Sequence, residues 1–318
     1  MPELTKDLTK DLTEHVADYL GLRRALGFKL TAEARMLPQL VGYLADAGAG
    51  TLTSELVIAW AGLPHTSQPI SLAHRLGAAR GFAKYLQTID PAVQVPPSGI
   101  WPTRTPRPTP YLWSASDISR LLRAAGDLPG PFRAATHQTL LGLLAVTGMR
   151  VGEALGLPRA DVDLDTGVLR IREAKYHRER LVPLHPSTTE RLRAYADRRD
   201  RPTRAATSTT RPGALFICRT GAALTYSNVR DTFTDLTSTL GLRTSSLQPR
   251  IHDLRHSFAV RTLIDWHRCC ADINAKLPIL STYLGHQSPA GTYWYLSAAP
   301  ELMELAAAHL DAHTGSQS

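Results

Sequence analysis

Between Pro91 and Pro110 the chain carries seven prolines, among them the pair Pro96-Pro97 and the run Thr103-Arg-Thr-Pro-Arg-Pro-Thr-Pro110. Each proline fixes φ and removes a backbone donor, so neither a helix nor a central strand runs through this stretch. An extended, basic connection is what remains. It divides the sequence into residues 1–95, a linker over residues 96–111, and residues 112–318. Both flanking parts are long enough to bury a core of their own.

Before the linker, apolar residues recur at helical spacing. Met36, Leu37, Leu40, Val41 and Leu44 form one set, Leu56, Val57 and Trp60 a second, and Leu72, Leu76, Ala79, Phe82, Ala83 and Leu86 a third. Gly27, Gly48, Gly50 and Pro64 punctuate them. The spacing predicts an all-helical bundle of about four or five helices. Arg75, Arg80 and Lys84 fall on its last helix, as phosphate contacts or as a solvated face.

After the linker, Ser114, Ser116 and Asp117 form an N-cap signal ahead of Ile118, Leu121 and Leu122. The Leu- and Ala-rich stretch from His137 to Val146 predicts a buried helix ended by Thr147-Gly148, and Arg150 opens a short helix with Glu153 one turn on. Val168–Arg172 and Arg180–Leu184 alternate as strands do, with a turn at Lys175–Arg178 between them, which predicts a β-hairpin. An edge strand is expected at Leu215–Cys218, and helices over 186–199, 226–240, 252–267, 277–284 and 300–311. The expected fold class is mixed and mostly α: a helical N-terminal domain, then an α/β domain with a small antiparallel sheet.

The formal net charge is +8, and the surplus sits mainly after the linker, where 25 Lys and Arg face 19 Asp and Glu. Such a surplus attracts polyanions, nucleic acid first among them. Three cysteines, two of them adjacent (Cys269, Cys270), make no disulfide framework and fit a reducing cytoplasm. No apolar run is long enough to span a membrane, and the first residues carry no apolar signal segment.

Four short boxes follow one another: Thr147-Gly-Met-Arg-Val-Gly-Glu153, His252-Asp-Leu-Arg-His256, Leu284-Gly-His286 and Tyr293-Trp-Tyr295. With Lys175 they supply two arginines, two histidines, a lysine and a tyrosine. Displacement at a phosphodiester by a side-chain hydroxyl needs these residue types. Guanidiniums hold the nonbridging oxygens as charge builds on them, the leaving oxygen needs a proton donor, and a tyrosine with a pKa of about 10 needs help to ionise. His252 and His256 stand at i, i+4, a spacing that can bind zinc. No glutamate follows the first histidine and no third ligand is near, so neither metal nor cofactor is expected. No Gly-rich phosphate loop is present to suit a nucleotide-dependent enzyme.

In order and spacing these boxes resemble the tyrosine recombinase, or phage integrase, family across about residues 112–300, and Thr292-Tyr-Trp-Tyr-Leu296 is similar to its integrase-like transposase branch. The resemblance implies a core-binding domain in residues 1–95 and a catalytic domain in residues 112–318. It also implies Arg150 and Arg255 as the phosphate clamp, His252 and His286 as further phosphate donors, and Lys175 as general acid for the 5′ oxygen. Tyr295, nine residues after His286, would be the nucleophile of a 3′-phosphotyrosyl intermediate, with Tyr293 as its rival. Ala174 stands where the family often has glycine before the lysine. Glu153 would orient the arginine region.

Double-stranded DNA is the implied partner. Backbone contacts are expected from Arg75, Arg80, Lys84, Arg104, Arg107, Arg178 and Arg180. A homodimer to homotetramer on DNA is expected to form through a C-terminal helix at Pro300–Leu310, which otherwise packs on its own domain. Two rival readings share the fold: a type IB topoisomerase and a catalytically inactive DNA-binding regulator.

Overall fold

The computed structural model describes residues 2–63, 68–103, 109–172, 179–201, 213–269, 272–286 and 292, with side chains from Asp11 onward. The chain divides into two units, residues 1–108 and residues 109–318.

In the first unit the apolar spacing produces four helices: α1 (Pro2–Ala25), α2 (Glu33–Asp46), α3 (Ser54–Gly62) and α4 (Pro69–Gln87). Leu37, Leu40, Val57, Ala79, Phe82 and Trp60 are fully buried where these helices meet. Burying each large apolar side chain contributes about 1.5–3 kcal/mol. Tyr19 of α1 packs against Phe82 and Tyr85 of α4, with ring centroids 5.7 and 5.6 Å apart. Residues 91–103 contain neither helix nor strand, as their prolines require. The Gln94 N–H nevertheless donates to Leu52 O (2.9 Å), tying this segment to the bundle.

The second unit runs α5 (Ala115–Gly126), α6 (Pro131–Thr147), α7 (Val151–Leu155), a 3₁₀ turn (Arg159–Asp161), β1 (Val162–Asp163), β2 (Val168–Arg172), β3 (Glu179–Pro183), α8 (Pro186–Asp200), α9 (Tyr226–Thr239), α10 (Ile251–Arg268) and α11 (Ile273–Leu284). Ser114 caps α5 by accepting from the Asp117 N–H. Helix α6 is central, packed between α5, α8 and α10. Leu140, Leu141, Leu143 and Leu144 are all buried, so most of the helix's circumference is covered, while Val146 on the remaining side is exposed. The sheet has the order β1-β2-β3 and is antiparallel throughout. Leu169 pairs with Val182 and Ile171 with Arg180, which places Arg180 on the sheet's core-facing side. The intervening Leu181 points outward and is 61% exposed.

Three expectations need correction. The helix expected from His137 begins at Pro131, where a proline suits the first helical turn. Leu215–Cys218 is no strand of the sheet; its neighbourhood is fastened by the isolated bridges Pro158↔Ala214 and Ile217↔Ala223. Leu215, Phe216 and Ile217 are consecutively buried, a pattern without the alternation of a half-exposed edge strand. Helix α11 begins at Ile273 and not at 277, because Asp272 caps it through the Ala275 N–H and Ile273 adds to the apolar cluster of Leu277 and Leu280. Pro278 therefore lies inside the helix. The expected turn at Lys175–Arg178 and helix over 300–311 lie outside the described residues.

Helices α6 and α11 both end on a glycine in the left-handed region, Gly148 (φ 60°) and Gly285 (φ 70°). A Cβ on Gly148 would stand 2.4 Å from Phe258 Cδ1. Gly148→Ala is expected to cost about 2–4 kcal/mol, combining left-handed backbone strain with overpacking. Gly152→Ala, where nothing lies within 4 Å, is expected to be neutral or slightly stabilising. Urea unfolding of both variants checks the contrast, and equal losses would refute it.

Candidate active site

Three arginines converge on three consecutive backbone carbonyls at the end of α11. Arg180 Nε donates to Tyr283 O (2.9 Å), Arg255 Nη2 to Leu284 O (2.8 Å) and Arg150 Nη2 to Gly285 O (2.7 Å). A helix C-terminus carries unsatisfied carbonyls and the negative end of the macrodipole, so it is a natural seat for guanidiniums. Gly285 makes the geometry possible. Its N–H bonds Thr282 O and the next N–H, of His286, bonds Ser281 O, a Schellman closure that turns the chain so that His286 follows directly.

The arginines arrive from different elements. Arg150 precedes α7 and is held at its other end by Glu153, whose Oε1 accepts from Arg150 Nη1 (2.7 Å) and Oε2 from the Arg150 N–H (2.8 Å). Arg255 sits in α10, is 2% exposed, and also donates to Gly148 O (2.8 Å), the carbonyl that closes α6. The N-terminus of α10 repeats the arrangement before α7: Asp253 accepts from the Arg250 N–H (2.7 Å) and from its guanidinium (2.8 Å). Arg150 and Arg255, separated by more than a hundred residues in sequence, thus meet at one helix end.

His252 lies one turn before His256 on α10, their rings 4.7 Å apart and edge to face. The pKa of His252 is lowered, first by partial desolvation and then by the charge of Arg255. His286 Nδ1 shares a 2.8 Å hydrogen bond with the hydroxyl of buried Thr292, which orients the ring. Its pKa is pushed down to about 4, by burial first and then by Arg255, Arg150, His252 and Arg180. Burial alone would raise the Glu153 carboxyl, but its bonds to Arg180 and Arg150 outweigh that and hold it below its ordinary value. Arg150, His252, Arg255 and His286, all singled out in the sequence, are therefore brought together. Lys175, Tyr293 and Tyr295 lie outside the described residues, as do Arg104, Arg107 and Arg178.

The expected backbone contacts divide. The Arg75 guanidinium lies 4.0 Å over the Trp60 ring and donates to Trp60 O (3.0 Å), so it is engaged in the first unit's own packing. Arg80 is half-buried and Lys84 exposed on α4. Arg180 is committed to Glu153 and Tyr283. The sequence reading missed that commitment, although the alternation of β3 already puts Arg180 on the same face as Val182. It also missed Ser257, whose hydroxyl accepts from the Trp113 N–H (2.7 Å) and donates to Asp253 O (2.8 Å). Among the described residues no group of three or more His, Cys, Asp or Glu side chains is placed to hold a metal. A cavity of about 670 Å³ by the start of α6, lined by Phe132, His137 and Asp235 among others, contains none of the four converging residues.

Comparison with known proteins shows the family. The phage integrase family model matches residues 114–301. An integrase/recombinase-like protein of Sinorhizobium fredii (strain NBRC 101917 / NGR234), y4rB, is 44% identical over 303 residues, covering 93% of this chain and 96% of its own. Tyrosine recombinase XerC of Azotobacter vinelandii (strain DJ / ATCC BAA-1303) is 30% identical over 249 residues, 78% of this chain and 75% of its own. The crystal structure of XerH site-specific recombinase bound to palindromic difH substrate, a post-cleavage complex, shares the fold. It superposes with a TM-score of 0.60 at 19% identity, covering 86% of this chain and 77% of that one. The chain belongs to the phage integrase family, the tyrosine recombinases, and its activity is site-specific DNA recombination.

The depressed pKa of His286 has a measurable consequence. Between its ordinary value near 6.5 and about 4, the unfolded chain binds a proton that the folded chain does not. Its contribution to stability is therefore present above the upper value and lost as pH falls through that window. The melting temperature of the wild type is expected to drop more than that of His286→Gln between about pH 7 and about pH 4.5. Parallel pH profiles from thermal unfolding would show that His286 is not shifted.

Proposed function

We propose that this recombinase cuts and rejoins duplex DNA through a 3′-phosphotyrosyl intermediate, with residues 112–318 as catalytic domain and residues 1–95 as core-binding domain. Arg150 and Arg255 hold the nonbridging oxygens of the scissile phosphate, and His252 and His286 donate further hydrogen bonds to it. Tyr295 attacks phosphorus, its hydroxyl proton passing to neutral His252 as the bond from phosphorus to the 5′ oxygen breaks. Lys175 protonates the leaving 5′ oxygen, and the reverse steps rejoin the strand. Bond energy is kept in the phosphotyrosine, so the cycle needs no nucleotide cofactor.

The observation that carries the reading is the convergence of Arg150, Arg255 and His286 on the end of α11. Arg150, Arg180 and Arg255 against Glu153 leave a surplus of two positive charges. That surplus complements the dianion formed when a tyrosinate adds to a phosphodiester. The histidines, neutral in the free site, gain protons more readily once a phosphate stands beside them. Thr292, hydrogen-bonded to His286, lies three residues before Tyr295 in the chain. On DNA we place two to four copies together, linked through Pro300–Leu310, with transposition or integration as the task.

The test is covalent trapping. A duplex site is first selected from a random pool by the protein itself, then nicked beside the cleavage position so that rejoining fails. Wild type and Tyr293→Phe are expected to form a denaturant-resistant protein–DNA adduct, and Tyr295→Phe none. Arg150→Gln and Arg255→Gln are expected to slow adduct formation by about 10²–10³-fold. Loss of the adduct in Tyr293→Phe alone would move the nucleophile. Tight binding with no adduct from wild type would favour the inactive regulator.

A further inference from the structure

We infer that Arg180 is a positioning residue for Arg150: by occupying Glu153 it keeps Arg150 oriented without letting the carboxylate capture it. This rests on the reading of Arg150 as a phosphate clamp and replaces the expectation that Arg180 touches DNA.

Arg180 is the buried partner of the pair. Its side chain is 10% exposed and that of Glu153 12%, whereas the Arg150 side chain is 37% exposed. The guanidinium of Arg180 grips both carboxylate oxygens, Nη2 to Oε2 at 2.6 Å and Nη1 to Oε1 at 3.2 Å, while Nε holds Tyr283 O. A DNA phosphate would have to displace Glu153 to reach it. Room around it is tight as well, since a Cβ on Gly285 would stand 2.7 Å from Arg180 Nη1.

The carboxylate is shared. Oε1 accepts from Arg150 and Arg180 side chains, and Oε2 from the Arg150 backbone and the Arg180 side chain. A buried carboxylate stripped of one cation draws harder on whatever cation remains. Without Arg180 that cation is Arg150, the group required at the phosphate. The strand carrying Arg180 also continues from the segment that contains Lys175, so the same contact ties β3 to the end of α11.

The experiment compares wild type, Arg180→Met, Glu153→Gln and the double variant in the full chain. Two quantities are measured: the single-turnover rate of adduct formation on the nicked, selected duplex, and the salt dependence of binding to an unnicked random-sequence duplex. Arg180→Met is expected to slow adduct formation by about 10²-fold, the scale of a misplaced catalytic group. Its salt slope should match wild type. Adding Glu153→Gln should recover about tenfold or more, because the neutral amide no longer pulls on Arg150.

A salt slope lower by about 0.9, one lost phosphate contact, would overturn the proposal and return Arg180 to the DNA interface. A double variant no faster than Arg180→Met would overturn it too. If Arg180→Met fails to fold, the double variant, which leaves no unpaired carboxylate, is compared with Glu153→Gln alone. Similar rates support the proposal, and a deficit of about 10²-fold refutes it. If wild type forms no adduct, the phosphate-clamp reading fails by itself, and the salt slopes still decide whether Arg180 contacts DNA.

Discussion

Everything in the site hangs on the carbonyls that the end of α11 leaves without helical partners. Helix termini leave such groups without partners, and here a guanidinium meets each of three in succession. A hydrogen bond with one charged partner contributes about 1.5–3 kcal/mol where it is sheltered. The arrangement is therefore both a helix cap and a device that gathers charge from β3, α10 and the start of α7. Because Arg255 also reaches Gly148, the ends of α6 and α11 are joined through one side chain.

Concentrating positive charge has a cost in a folded protein, and Glu153 offsets part of it. Its carboxylate takes four hydrogen bonds from two arginines, which fixes their orientation while leaving net positive charge for a polyanion. Burial first, and then the same field, lowers the pKa of His286 and His252 and keeps them neutral. Two neutral imidazoles next to two fixed cations make a site whose protonation responds to what binds. An incoming anion relieves the repulsion that had discouraged their charging.

Much of this was readable in the sequence because local rules governed it. The proline run separated the two parts, the 3.6-residue spacing located the four N-terminal helices, and the boxes around Arg150, Arg255 and His286 marked the residues that converge. Arg180 was expected to touch DNA or to be solvated because it stands near a basic turn, yet the alternation of β3 and its register opposite Ile171 turn it inward. Arg75 was expected on a phosphate or on a solvated face for a similar reason, since nothing local announces that its guanidinium stacks on Trp60. Leu215–Cys218 looked like a strand because β-propensity does not distinguish an edge strand from a buried segment held by isolated bridges. The carbonyl cluster at 283–285 has no side-chain signature at all, apart from the glycine that ends the helix.

Acceptors that belong to the main chain shape how such a protein can diverge. A carbonyl belongs to the main chain whatever residue carries it, so exchanging Tyr283 or Leu284 does not delete an acceptor. Natural selection is left with one tight restriction on the cradle itself, Gly285, whose left-handed backbone angle and nearness to Arg180 strain any larger residue. The surfaces that read a particular DNA sequence can then drift while the bond-breaking apparatus stays in place. A lineage of such enzymes can acquire new targets without having to reinvent the reaction.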